Sequence, residues 1–242
     1  MKRILASIGI GGATVDTVFP RAKCSPGDTV TADVELYGGE TTQEIEGIYF
    51  DLKTRLSEGA DDERVIGEFT IDETITLNPD EEQTIPADIH LPRWAPLTQN
   101  AVSVWVETGL DIDWAKDPTD EDQIEIVPDE YTATLFTAVE ELGFALQGST
   151  LSETPYLDDR PFAQKFAFRP TESQFAPDLD DLRLTIMPRA DDLRVFLELD
   201  RRDEVAEEHD IPFDEREVSI TFDRTDADMM RRRLKNEIEQ YI

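Results

Sequence analysis

The stretch Thr29–Tyr37, TVTADVELY, alternates apolar and polar side chains from end to end. Its apolar members are Val30, Ala32, Val34 and Leu36. Because successive side chains of a β-strand point to opposite faces of a sheet, this pattern predicts a strand with one face in a core and the other in water. Comparable runs occur on both sides of Thr29–Tyr37, and the repeated pattern therefore indicates the fold class of the chain.

Turn signals flank this strand. Ser25-Pro26-Gly27-Asp28 precedes it, and a turn is predicted there because proline presets φ and glycine tolerates a positive φ. Gly38 and Gly39 follow it. Further runs of strand-forming residues occupy 14–19, 44–56, 64–77, 83–91, 101–112 and 123–127. Short strands separated by turn signals indicate an all-β sandwich in the first half of the chain.

The pattern changes at Pro128-Asp129. Leu135, Phe136 and Val139 then follow at helical spacing, and Gly143 stands where a helix C-cap belongs, so a short helix is predicted over 132–142. Strand-like runs resume at 144–146, 163–169, 182–188, 194–200 and 217–222. At 242 residues the chain exceeds the usual size of one domain. We therefore expect an N-terminal sandwich over 1–128 and a C-terminal sandwich over 129–242, with the helix between them.

A second helix is predicted at the end of the chain, over 226–241. Thr225 followed by Asp228 is a variant of the capping box that begins many helices. An apolar stripe at i, i+4 spacing runs along this helix through three residues, Met230, Leu234 and Ile238, and Tyr241/Ile242 continue it. The stripe predicts a buried contact, either within the chain or with a partner. These three residues are the candidate docking site for a protein partner.

The charge of the chain is strongly negative. Acidic residues number 55 against 23 basic ones, which gives a formal net charge of -32. Such a chain should repel nucleic acid and anionic membranes, because both carry phosphate charge. At about 1 M salt the screening length falls to about 3 Å, so the composition indicates a halophilic, archaeal cytoplasm. We expect no membrane insertion, since no apolar run approaches the ~18 residues needed to span a bilayer.

Several stretches of this sequence are similar to one known family. They are ASIGIGGATVDT at 6–17, the Pro-Gly turn before Thr29, IPADIHLP at 85–92 and the strand 193–199 followed by DRR. In this order and spacing they resemble the SpoOM (sporulation-control) family of arrestin-like proteins. The resemblance implies two arrestin-like β-sandwiches in tandem and a non-catalytic regulatory or scaffold role that depends on protein contacts. In spore-forming bacteria that family is tied to the control of sporulation.

The acidic segment 111–122, DIDWAKDPTDED, is the sharpest candidate for a ligand site, because oxygen-rich clusters can hold Ca²⁺. It fails the EF-hand template, since Ala115 stands at the fifth position and Lys116 where glycine is required. We interpret it as a solvated loop and predict no metal site. A small-ligand or Ca²⁺-binding sandwich module remains the alternative function.

Residues for catalysis are not arranged in any known pattern. His90 and His209 have no metal-ligand spacing with Cys24, the single cysteine, which also rules out a disulfide within the chain. No Gly-x-Ser-x-Gly elbow is present. We therefore expect no enzyme and no cofactor. The predicted partners are proteins, with a homodimer as one form. We interpret Arg231-Arg232-Arg233 either as pairing with the acidic body of the chain or as lying on the surface of the last helix.

Overall fold

The structure, a computed structural model, describes residues 12–20, 23–57, 62–112, 118–153, 160, 162–189, 191–201 and 218–242. Its strands are β1 (Thr14–Val18), β2 (Lys23–Cys24), β3 (Thr29–Tyr37), β4 (Gln43–Arg55), β5 (Glu63–Ile71), β6 (Ile75–Leu77), β7 (Glu82–His90), β8 (Val104–Ile112), β9 (Thr119–Ile126), β10 (Phe144–Glu153), β11 (Phe162–Pro170), β12 (Leu179–Pro188), β13 (Leu193–Arg201) and β14 (Val218–Phe222). Its helices are α1 (Glu130–Glu141) and α2 (Ala227–Tyr241).

The chain forms two compact units. The first contains β1 to β9 and ends at Val127. The second begins at Pro128 and also takes in the short segments 56–60 and 99–102.

The first unit is built from two sheets. One has the order β1-β3-β7, and the other has the order β2-β9-β8-β4-β5, with β6 paired to β4. The alternation of β3 places Val30 and Val34 inside, where their Cα partners on β7 are Ile89 and Ile85. Phe50 of β4 lies in the core as well, 1% exposed. The apolar faces of both sheets thus supply the core of this unit.

The second unit has one five-stranded antiparallel sheet in its described part, ordered β10-β11-β12-β13-β14. Its apolar face packs on α1, whose Phe136 ring lies 5.1 Å from the Phe166 ring of β11. The opposite face carries ion pairs, among them Lys165 with Glu198 at 2.5 Å. On the apolar face the described second layer consists of α1, with the amphipathic α2 packed against it. The all-β class with two helices is confirmed.

Helix α1 begins two residues earlier than expected. Asp129 caps it, because its side chain accepts a hydrogen bond from the Thr132 N–H at 2.8 Å. At the other end Gly143 has φ of +83°, as the predicted cap requires. A Cβ at Gly143 would also lie 2.6 Å from the backbone nitrogen of Ser173. Both the positive φ and the lack of space for a side chain therefore require glycine at this position.

The cap predicted for α2 is wrong. Asp226, and not Thr225, accepts the hydrogen bond from the Met229 N–H, at 2.9 Å. The Thr225 hydroxyl instead donates to Glu130 at the start of α1, at 3.1 Å. Aspartate is at least as good an N-cap as threonine, so either residue satisfies the sequence pattern.

Candidate functional site

The acidic segment 111–122 is largely strand where the structure describes it. Asp111 lies in β8, and β9 already begins at Thr119, so Asp120 and Asp122 are strand residues. Residues 113–117 lie outside the described part of the chain. The interpretation as a solvated loop is therefore corrected for Asp120 and Asp122. The acidic side chains of this stretch masked a strand pattern that Ile124 and Ile126 continue.

Asp16 of β1 meets these two aspartates. One carboxylate oxygen of each residue lies within 4.8 Å of the others. Because β1 belongs to the three-stranded sheet and β9 to the six-stranded one, the cluster lies where the two sheets of the first unit meet. We call these three residues the aspartate cluster.

Hydrogen bonds of Thr17 join β1 to β9 and to β8 at this point. The Thr17 N–H donates to Asp120 Oδ2 at 2.8 Å. The Thr17 hydroxyl donates to the Thr108 hydroxyl at 2.8 Å, and both threonines are buried. Thr17 and Asp120 are 103 residues apart in sequence. Local patterns carry no signal for such a contact, which is why sequence reasoning missed Asp16.

Within the aspartate cluster, Asp122 has the carboxyl group with the most strongly shifted pKa. Burial, then the hydrogen bond and negative charge of Asp120, and finally the charge of Asp16 raise the pKa of Asp122 to about 8. Its Oδ2 atom is enclosed and accepts no hydrogen bond from the described residues. Asp122 therefore keeps its proton in most molecules at neutral pH.

Three carboxylates at this spacing can share protons or contribute to a cation site. Ca²⁺ takes about six to eight oxygen ligands, and the aspartate cluster offers one oxygen from each of three residues. The nearby hydroxyls of Thr17 and Thr108 are already hydrogen-bonded to each other. The described groups thus fit proton sharing as they stand and supply about half of a calcium shell.

The histidines and the cysteine do not join this cluster. His90 lies on the exposed side of β7, where its Nδ1 is hydrogen-bonded to the Thr29 hydroxyl. His209 lies outside the described residues. Burial, with the negative charges of Asp28 and Glu125, raises the pKa of the Cys24 thiol to about 11. That thiol stays protonated and is a poor nucleophile or metal ligand.

The candidate docking residues of α2 face inward. Met230, Leu234 and Ile238 are each 0% exposed, and α2 packs against α1. Arg231 pairs with Glu141 of α1 at 3.2 Å, and Arg233 donates to the Thr221 carbonyl at 2.7 Å. These three residues are thus buried within the chain, the first of the two alternatives that the sequence left open, whereas Tyr241 and Ile242 at the end of the stripe are exposed.

Neither described helix has the length and hydropathy that a bilayer-spanning segment requires.

Known proteins similar to this chain agree with the resemblance in its sequence. The sequence model of the SpoOM protein family matches residues 1–203. The chain is 35% identical over 207 residues to the sporulation-control protein of Bacillus subtilis (strain 168), an alignment that covers 83% of this chain and 80% of that protein. The crystal structure of the sporulation-control protein from Bacillus subtilis matches at a TM-score of 0.85 and 29% identity, over 96% of this chain and 100% of that one. The chain belongs to the SpoOM protein family.

Proposed function

We propose that this protein is a non-catalytic regulator of the sporulation-control type that works by binding other proteins in the cytoplasm of a high-salt cell. The observation that carries the proposal is the 35% identity, over most of both chains, to a protein named for the control of sporulation. The charge of -32 supports the high-salt setting, because such self-repulsion needs screening.

An edge strand offers one surface for such binding. β5 ends the six-stranded sheet in the described part of the chain, next to β4. The outer edge of a terminal strand presents N–H and C=O groups that a partner strand can pair with. Val65 on β5 is 44% exposed, which is unusual for a large apolar side chain in this protein. We infer that β5 is the first place to test for strand addition.

The test compares two substitutions at Val65. Tagged chain is incubated in molar KCl with lysate of its own organism, bound proteins are identified, and the affinity for each is measured with purified partner. Val65→Thr keeps the β-branched shape and should bind as the wild type does. Val65→Lys places a charge on the edge and should weaken binding at least about tenfold. A wild-type chain that elutes alone under these conditions, even after mild cross-linking, contradicts the proposal.

The alternative function, a module for Ca²⁺ or a small ligand, is favoured by one observation, the aspartate cluster. Calorimetric titration with Ca²⁺ tests it at about pH 9, where the proton on Asp122 no longer competes. A saturable heat with the wild type that is absent from Asp122→Asn would favour the alternative. No heat with either chain would remove it.

A further inference from the structure

We propose that α2 is a displaceable latch, and that the face of α1 beneath it also accepts a basic amphipathic helix from a partner protein. The inference rests on the proposed protein-binding function and assigns it a second surface, distinct from the β5 edge.

The latch is held mainly by three apolar side chains. Met230, Leu234 and Ile238 are fully buried, whereas the rest of α2 is exposed or half-buried. Their burial has to offset the conformational entropy lost by an ordered helix of 15 residues. Helices of about that length are marginal in water on their own. Separation of α2 from α1 is therefore a local opening that does not require the sheets to unfold.

The polar contacts of the latch lie near solvent. Arg231 and Glu141 have side chains 39% and 43% exposed. Three further polar contacts are exposed as well: Thr225 with Glu130 at 3.1 Å, Arg233 with the Thr221 carbonyl at 2.7 Å, and Gln174 with Glu239 at 3.1 Å. Exposed pairs of this kind contribute little, and salt screens them further. They orient α2 but add little to the free energy that keeps it in place.

The covered face of α1 has a recognisable chemistry. Glu141 marks the side of α1 that faces α2, because it pairs with Arg231. Ala138 lies three residues earlier on the same side and is 0% exposed, and its small side chain lets a second helix approach closely. Leu135, one further step back, is also fully buried. The face is thus apolar at its centre.

The charges around this face select the occupant. α1 carries Glu130, Glu140 and Glu141 and no lysine or arginine. α2 carries four basic residues and three acidic ones, whereas the chain as a whole has a net charge of -32. A helix with apolar residues at i, i+4 and i+8 and an arginine next to the first of them reproduces the buried stripe of α2 and its ion pair with Glu141. A basic amphipathic helix is therefore the chemistry that this face fits.

The experiment uses the full chain and a labelled peptide with the sequence of residues 225–242. Leu234→Asp places a charge in the buried stripe and should open the latch. In molar KCl, fluorescence anisotropy should show the peptide binding to the Leu234→Asp chain at least about tenfold more tightly than to the wild type, whose own α2 competes. A peptide that itself carries Leu234→Asp is the matched control and should bind neither chain.

A milder variant covers the case in which Leu234→Asp fails to fold. Asp226→Ala removes the cap of α2 and leaves its buried stripe intact, and it should also raise peptide binding above the wild-type level. Equal binding of the peptide to wild type and to a folded, opened variant overturns the latch. That result leaves partner capture at the β5 edge unaffected, so failure of the latch and failure of the proposed function are distinguishable.

Discussion

Among the described residues of the first unit, Asp122 is the one whose ionisation the fold changes most. In the folded chain the Asp122 carboxyl keeps its proton up to a pH of about 8. In the unfolded chain, with the ordinary pKa of 3.8, the same carboxyl releases its proton at about pH 4. Between these two values the folded state binds more protons than the unfolded state. The contribution of Asp122 to stability therefore falls as the pH rises from about 4 to about 8 and is constant above.

Replacing Asp122 with asparagine tests this sign. Asp122→Asn is neutral at every pH, so its stability should decline less between about pH 5 and pH 8 than that of the wild type. At about pH 9, with a chelator present, its melting temperature should exceed that of the wild type by at least about 3 °C, the shift expected for about 1 kcal/mol in a chain of this length. Asp111→Asn on the exposed end of β8 is the control and should follow the wild-type profile. Parallel pH profiles for all three chains would show that Asp122 is ionised in the fold.

Sequence reasoning singled out the segment that holds two members of the aspartate cluster, interpreted it as a solvated loop, and missed the third member. Asp120 and Asp122 lie in the segment that its oxygen content singled out, although their strand was not recognised. Asp16 lies in a separate strand more than a hundred residues away, and its position depends on how β1 docks on β9. Composition identifies candidate groups, but only the packing of the two sheets shows which of them lie together.

Among the helices and strands, the periodicity of apolar side chains predicted those elements that depend on local sequence. The alternation of β3 and the apolar spacing of α1 and α2 matched the structure because each element buries one face. The predicted boundary of a strand was wrong where acidic residues interrupted the apolar pattern. The acidic residues at the start of β9 hid a strand.

Gly143 joins two such elements, and its replacement should be costly. Alanine there must adopt a positive φ and place its Cβ 2.6 Å from the Ser173 nitrogen. Since backbone cannot rotate away as a side chain can, we expect Gly143→Ala to lower the free energy of unfolding by about 1–3 kcal/mol in denaturant titrations. Gly12→Ala is the matched control, because no atom lies within 4 Å of its Cβ position. Equal losses for both variants would contradict the steric argument.

For the whole molecule, the charge of -32 sets the condition under which the fold persists. Self-repulsion opposes the compact state at low ionic strength and is screened at high ionic strength. The melting temperature should therefore be higher in molar KCl than in about 50 mM KCl, by more than about 10 °C if repulsion costs several kcal/mol. Equal midpoints in the two solutions would show that the halophilic interpretation is wrong. Molar sorbitol, which leaves charges unscreened, is the control for non-ionic stabilisation.

The division into two units predicts how a severed chain behaves. A site for a specific protease inserted between Val127 and Pro128 would cut where the first unit ends and the second begins. The two fragments should nevertheless stay associated in molar KCl, because segments 56–60 and 99–102 of the first fragment belong to the second unit. Ser57 there exchanges two hydrogen bonds with Leu151, its N–H donating to the Leu151 carbonyl at 3.0 Å and its hydroxyl oxygen accepting from the Leu151 N–H at 2.8 Å.

Size-exclusion chromatography of the cut protein is the measurement for this prediction. We expect one peak of unchanged volume that separates into two only after urea is added. Ser57→Pro removes the N–H that donates to Leu151 and should make the cut protein separate at a lower urea concentration, since that bond is then lost. Two peaks immediately after cutting, without urea, would show that these short segments do not hold the fragments together. Two independently folded domains joined only by their linker would then be the better description of the chain.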